Sequence, residues 1–163
     1  MLNSRRRGAE AAWDANWASG LTSRVAYTYL RATFDEAFRS GNDTVAAGSR
    51  MPGVPATTAY GEIAWSPPGV APKPHAALEV VHVDRIWDND RNPDAAPRHT
   101  IANLRVGVAQ QFGAFALKGF ARLNNVADRR YAGSVIVGEG NGRFFEPAPG
   151  RNWTFGISAE AKY

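Results

Sequence analysis

The twelve residues from Asn152 to Tyr163 read N-W-T-F-G-I-S-A-E-A-K-Y, with an apolar residue at every second position up to a terminal aromatic. Strand side chains alternate sides with period 2. Trp153, Phe155, Ile157, Ala159, Ala161 and Tyr163 therefore share one face, and Asn152, Thr154, Gly156, Ser158, Glu160 and Lys162 share the other. One face calls for an apolar solvent and the other for a wet one. The wall of a transmembrane β-barrel with a hydrated lumen meets both demands. A half-buried strand of a soluble sheet also meets them, so the rest of the chain has to decide.

The same alternation recurs upstream. Ala9, Ala11, Trp13, Ala15 and Trp17 oppose Glu10, Asp14 and Asn16, and Ala18-Ser19-Gly20 then supplies a tight turn. A second strand is predicted from about Leu21 to Phe38, with Val25, Tyr27 and Tyr29 opposite Arg24 and Thr28. A third, Thr57 to Ser66, sets Ala59, Gly61, Ile63 and Trp65 against Tyr60 and Glu62 and is ended by Pro67-Pro68-Gly69. The fourth, His75 to Trp87, is blurred and its faces stay unassigned. His99 to Gln111 places Ala102, Leu104, Val106 and Val108 opposite Asn103 and Arg105. After the turn Phe112-Gly113-Ala114, the strand Phe115 to Asn125 sets Leu117, Ala121 and Leu123 against Lys118, Arg122 and Asn124.

The connections run short, long, short, long, short, long. The long ones are 39–55, 88–98 and 126–150, the last holding five glycines and two prolines. Transmembrane barrels alternate short periplasmic turns with long extracellular loops in this way. Trp17, Trp65, Phe112, Phe115 and Tyr163 all fall near the short-turn ends, where amphipathic rings settle at headgroup level. The expected fold is all-β: an antiparallel transmembrane β-barrel segment of about seven strands, an odd number where single-chain bacterial barrels have even ones.

Composition sets the bounds. No run approaches the apolar length of a transmembrane helix, whereas barrel strands need only about 9 to 11 residues. Mean hydropathy is −0.35. That value would suit a soluble chain, but it says little against an alternating pattern. The chain has 163 residues, a formal net charge of +4 and no cysteine. Disulfide scaffolds and thiolate metal sites are excluded. The basic residues are scattered, so no nucleic-acid partner is implied. The one cluster, Arg5-Arg6-Arg7, reads as a solvated end before the first strand, with contact to anionic lipid headgroups as the alternative. The start M-L-N-S-R-R-R-G-A-E has no apolar h-region and no small-residue cleavage site. An outer-membrane protein is exported through such a signal. With the odd strand count, this leads to the expectation of a C-terminal piece of something longer.

The segment L-N-N-V-A-D-R-R-Y (Leu123 to Tyr131), the glycine-rich loop and then E-P-A-P-G-R before the last strand resemble the C-terminal end of TonB-dependent outer-membrane receptors. The residues carrying the likeness are Asn125, Val126, Asp128, Tyr131, Pro149, Gly150 and Arg151. M-P-G-V-P (Met51 to Pro55) resembles a loop element of that family that precedes a strand re-entering the membrane. The resemblance covers about the whole chain. It implies 1–163 as the C-terminal part of a receptor barrel, without the plug domain, the energy-coupling box or most of the strands. The terminal Tyr163 departs from the commoner Phe or Trp but keeps an aromatic. The implied parent imports a metal chelate, most readily a ferric siderophore, across the outer membrane of a Gram-negative bacterium, and the fragment alone is inactive. Its implied partners are outer-membrane lipid and lipopolysaccharide, the barrel insertion machinery reading the last strand, TonB acting through the plug, and the ferric chelate.

No catalytic constellation appears, and no enzyme, cofactor or metal site is predicted. Ser134 lies in A-G-S-V-I, not in a nucleophile elbow. His75, His82 and His99 are dispersed, and Asp84, Asp88, Asp90 and Asp94 suggest only a polar loop. Gly138 to Gly142 resembles a phosphate loop superficially, with no Lys-Ser/Thr or helix start after it. Arg129, Arg130 and Arg143 are the substrate-loop candidates, since guanidinium groups meet anionic chelates well. Contact with lipopolysaccharide phosphates, or simple loop solubility, is the alternative for them. Two other functional classes stay open: a small self-contained outer-membrane barrel with a structural or adhesive role, and a soluble β-sheet binding protein.

Overall fold

Each long strand pairs antiparallel with the next, so the chain forms a meander. The computed structural model describes residues 3–161. Its strands are β1 (Ser4–Asn16), β2 (Leu21–Phe34), β3 (Phe38–Ser40), β4 (Asp43–Val45), β5 (Thr57–Trp65), β6 (Lys73–Val83), β7 (Ile86–Trp87), β8 (Ala95–Ala96), β9 (His99–Phe112), β10 (Phe115–Asn124), β11 (Ala132–Val135), β12 (Phe145–Pro147) and β13 (Asn152–Ala161). Seven of them make one sheet in the order β1-β2-β5-β6-β9-β10-β13. The sheet does not close, and β1 and β13 are its edges. Tyr163 lies outside the described residues.

The register runs through all seven spans and fixes two faces. On one face Trp13 pairs with Val25, Val25 with Gly61, Gly61 with Val80, Val80 with Ala102, Val106 with Ala121 and Ala121 with Phe155. The adjacent polar row pairs Asp14 with Arg24, Arg24 with Glu62, Glu62 with Glu79 and Glu79 with Asn103. This resolves the blurred fourth strand. Ala76, Leu78, Val80 and His82 belong to the apolar face, while Ala77, Glu79, Val81 and Val83 belong to the polar one. The blur arises because Ala77, Val81 and Val83 are apolar residues on the wet side.

What is exposed carries more weight than what is buried. Trp13, Val25, Leu104, Val106, Phe112, Phe115, Trp153, Phe155 and Ile157 all stand open on the apolar face, with Ile157 88% exposed. Among the described residues, the few buried apolar ones, Ala32, Phe34, Val45, Ala77 and Ala96, include four at the loop end of the sheet and none on the apolar face. A soluble monomer rarely leaves so large a contiguous apolar surface uncovered. A lipid phase would cover it.

The short connections lie where the sequence placed them. Ser19 and Gly20 adopt positive φ (63° and 77°) between β1 and β2. A Cβ at Gly20 would collide with the Ser66 carbonyl oxygen, so this turn requires glycine both for its conformation and for the close approach of the next turn. Three features differ from expectation. Arg5, Arg6 and Arg7 lie inside β1, paired with Thr33, Ala32 and Arg31, rather than before it. β2 ends at Phe34 and β6 at Val83, short of Phe38 and Trp87. The long loops also carry two-stranded ladders of their own, β3-β4, β7-β8 and β11-β12.

Candidate functional site

The polar face carries a belt of hydrogen bonds across the sheet. Asp14 pairs with Arg24 at 2.6 Å, Arg105 lies 3.6 Å from Glu62, and the Arg105 Nε donates to His75 Nε2 at 3.2 Å. Glu79 is the hub: its Oε1 accepts from Arg122 Nη2 and Asn103 Nδ2, each at 2.6 Å, and Tyr60 donates to Oε2 at 3.4 Å. The Asn124 Nδ2 extends the belt to Asn152 and Thr154 on β13. Charged side chains with alternating partners suit a hydrated interior and would be costly on a lipid-facing surface. Phe120 interrupts the belt. Its ring covers Gly156, where an added Cβ would collide with it, so glycine there makes room for an aromatic on the neighbouring strand.

At the loop end, the motif residues act as a brace. Asn125 is buried in the left-handed region (φ 51°), and its side chain clamps the Arg129 backbone, with Nδ2 donating to the carbonyl at 2.8 Å and Oδ1 accepting the amide at 2.9 Å. Asp128, also left-handed (φ 52°), accepts the Arg151 amide at 2.8 Å. A Cβ at Gly150 would lie 3.0 Å from that same carboxylate oxygen, which explains glycine before Arg151. Tyr131 stacks on His99 with ring centroids 4.4 Å apart. Asn103 joins the brace to the belt, since its Oδ1 accepts the Asn125 amide at 2.9 Å while its Nδ2 donates to Glu79. The segment Met51 to Pro55 is tied down in the same manner. The Met51 amide donates to Ala32, the Gly53 amide to Trp87, and Asn92 exchanges hydrogen bonds with both backbone groups of Arg50.

The three candidate arginines do not converge. Arg129 and Arg130 line a depression of about 270 Å³ together with His82, Arg98, His99 and Thr100. Arg143 lines a separate one among Asp94, Glu139 and Glu146. Trp153, Phe155, Ile157, Ala159 and Ala161 form the apolar row of β13, and the Trp153 and Phe155 rings stack at 5.9 Å. Sequence reasoning missed His82 and Arg98. His82 becomes conspicuous only when β6 has its faces assigned, and Arg98 only when the loops are folded.

No family model matches the sequence. Solved structures do. BauA, the ferric preacinetobactin receptor from Acinetobacter baumannii, superposes with a TM-score of 0.77 at 15% identity, covering 96% of this chain and 22% of its own. The chain shares the fold of part of that receptor. The siderophore receptor PiuA from the same organism gives 0.75 at 17% identity over 96% of this chain and 22% of its own. The ferric yersiniabactin uptake receptor FyuA from Yersinia pestis gives 0.72 at 20% identity over 98% and 24%. The chain thus spans about a quarter or less of the length of these receptors. At such identities the likeness is one of fold, and it matches the barrel expected from the alternating strands.

Proposed function

We propose that this chain is the C-terminal wall of a TonB-dependent outer-membrane receptor that takes up a ferric chelate, a siderophore complex being the best fit. The observation that carries the reading is the two-faced sheet: an exposed apolar face beside a hydrogen-bonded polar belt, on a backbone that superposes on three siderophore receptors over nearly its whole length. In this reading, residues 1–163 supply wall and loops but no plug domain, and the ferric chelate is cargo. The chelate binds among extracellular loops and plug, TonB acts on the plug from the periplasm, and the polar belt lines the path. The chain performs no chemistry and does not transport alone. The apolar row of β13, Trp153 to Ala161, is the stretch read by the barrel insertion machinery.

The test is fractionation and uptake. At native expression, the chain or its parent is expected in the outer-membrane fraction of a Gram-negative cell, with migration in detergent gels that changes on heating. A parent carrying this wall is expected to accumulate radioactive iron from a ferric siderophore, and to stop when the proton gradient is collapsed. Recovery in a soluble fraction, or iron uptake indifferent to the gradient, would refute the proposal.

A further inference from the structure

The loop that joins β11 to β12 holds the chain's one Asn-Gly pair, Asn141-Gly142. Asn141 is exposed, and its Oδ1 accepts the Arg143 amide at 3.2 Å. An asparagine that caps the amide two residues on folds its side chain back over its own backbone. The Gly142 nitrogen lies inside the ring that this bond closes, beside the side-chain carbonyl carbon of Asn141. Gly142 itself has a positive φ of 77° and open space where a Cβ would stand, and its amide donates to no backbone group among the described residues. Every other asparagine is followed by a residue with a side chain. Asn92 precedes Pro93, which has no amide proton, and Asn125 is buried. Asn89 is the closest comparison. Its Oδ1 accepts the Arg91 amide at 3.0 Å in the same reach, but its Nδ2 is held by Asp88 at 3.1 Å and the next residue, Asp90, carries a Cβ.

We infer that Asn141-Gly142 is a self-modifying site, at which Asn141 converts to aspartate and isoaspartate in water without an enzyme. Hydroxide takes the Gly142 amide proton, and the nitrogen attacks Asn141 Cγ. A C–N bond forms, the Cγ–Nδ2 bond breaks, and the side-chain nitrogen leaves as ammonia. Water then opens the cyclic imide at one carbonyl to give aspartate, or at the other to give isoaspartate, with the main chain routed through the side chain. The Arg143 amide that orients Asn141 also faces the charge that grows on Oδ1 during the attack, where a fixed donor lowers the barrier. Glycine at 142 leaves the nitrogen unshielded and the turn free to close. The product is a new carboxylate in the depression lined by Asp94, Glu139 and Glu146 with Arg143. Three carboxylates against one guanidinium make a formal −2, which becomes −3. The rim around Arg143 therefore gains negative charge as the molecule ages.

The full chain in detergent micelles is held at neutral and at mildly alkaline pH and then cut with trypsin. Cleavage after Arg130 and Arg143 releases the peptide 131–143, which is weighed and chromatographed beside the same peptide from fresh protein and a synthetic copy incubated in parallel. The expected result is exchange of the Asn141 side-chain amino group for hydroxyl, seen as a mass gain and as two separable products. The rate is expected to rise with hydroxide and to be no slower in the folded chain than in the synthetic peptide, while peptides holding the other asparagines stay unchanged. Gly142→Ala has to carry a Cβ into the left-handed region and is expected to slow the conversion roughly 5- to 30-fold. Asn141→Gln, whose attack would need a larger ring, is expected to lose it. An intact Asn141 in the folded chain beside a converted synthetic peptide would mean that the loop protects the pair, and would overturn the site. So would conversion of Asn89 or any other asparagine ahead of Asn141, or a slowing by Gly142→Ala of less than about twofold.

Discussion

Arginine placed at Val106 tests the two-solvent sheet directly. Val106 is central in β9, on the apolar face between Ala76 and Ala121, and is 47% exposed without lipid. At about 3.3 Å per residue it lies about 20 Å along the strand from either end, and a tilt near 40° turns that into about 15 Å of depth. The site is therefore close to the bilayer midplane. An arginine there costs about 2–4 kcal/mol. Loss of the partly covered valine adds about 1 kcal/mol, for a total of about 3–5 kcal/mol, or roughly 100- to 3,000-fold in the folding equilibrium. The native chain already carries Arg105 one residue away at the same depth, and tolerates it because it faces Glu62 and His75 on the polar side. Ala26→Arg is the matching control: Ala26 is exposed on the polar face between Ala12 and Tyr60, and the substitution is expected to cost no more than about 0.5 kcal/mol. Both variants would be inserted into phosphatidylcholine vesicles and titrated with guanidinium while tryptophan emission is followed. Equal shifts at the two positions would mean that both faces meet the same solvent, and the barrel-wall reasoning would fail.

Three further outcomes follow from the same geometry. Asn125→Ala removes two hydrogen bonds from a buried left-handed residue, a loss of about 3 kcal/mol in loop stability, read as faster tryptic cleavage after Arg129 and Arg130. Glu79→Ala strands Arg122 and Asn103 on a side chain only 18% exposed and is expected to cost about 1.5–3 kcal/mol in the vesicle titration, whereas Asp14→Asn, whose pair is open to water, should leave the midpoint unchanged. Gly156→Ala should destabilise the wall through its collision with Phe120, and Phe120→Leu should relieve most of the loss. A double-mutant cycle showing no coupling would refute that packing.

The strands were legible because two solvents enforce a period that no loop shares. Six of the seven spans could be given faces from sequence, and the exception, β6, was obscured by Ala77, Val81 and Val83 on the polar side. The overrun of β2 has a local cause. Apolar residues continue at Ala37 and Phe38 after the strand has ended, and Phe38 turns back so that its ring meets Phe34 edge-on at 4.8 Å. The loop ladders left no periodic trace because they are two to four residues long, and partners such as Ile86 and Ala96 meet across a turn. The arginine depression was the least legible feature. It draws on β6, on the residue before β9 and on the loop after β10, and only the folded register brings His82 and Arg98 to Arg129.

The motif that carried the resemblance acts on backbone groups. Asn125 binds the amide and carbonyl of Arg129, Asp128 binds the amide of Arg151, and the Ala148 amide donates to the Tyr131 carbonyl. A short polar side chain that satisfies backbone groups fixes the loop path without constraining the side chains that the path carries. The rim can therefore hold its shape while positions 129, 130 and 143 vary in charge and reach. Rigidity here comes from Asn125, Asp128 and Gly150, and whatever the rim recognises must be read by the side chains they leave free. The brace acts through backbone groups at the loop end, and the Arg129 and Arg130 guanidinium groups stay exposed beside it.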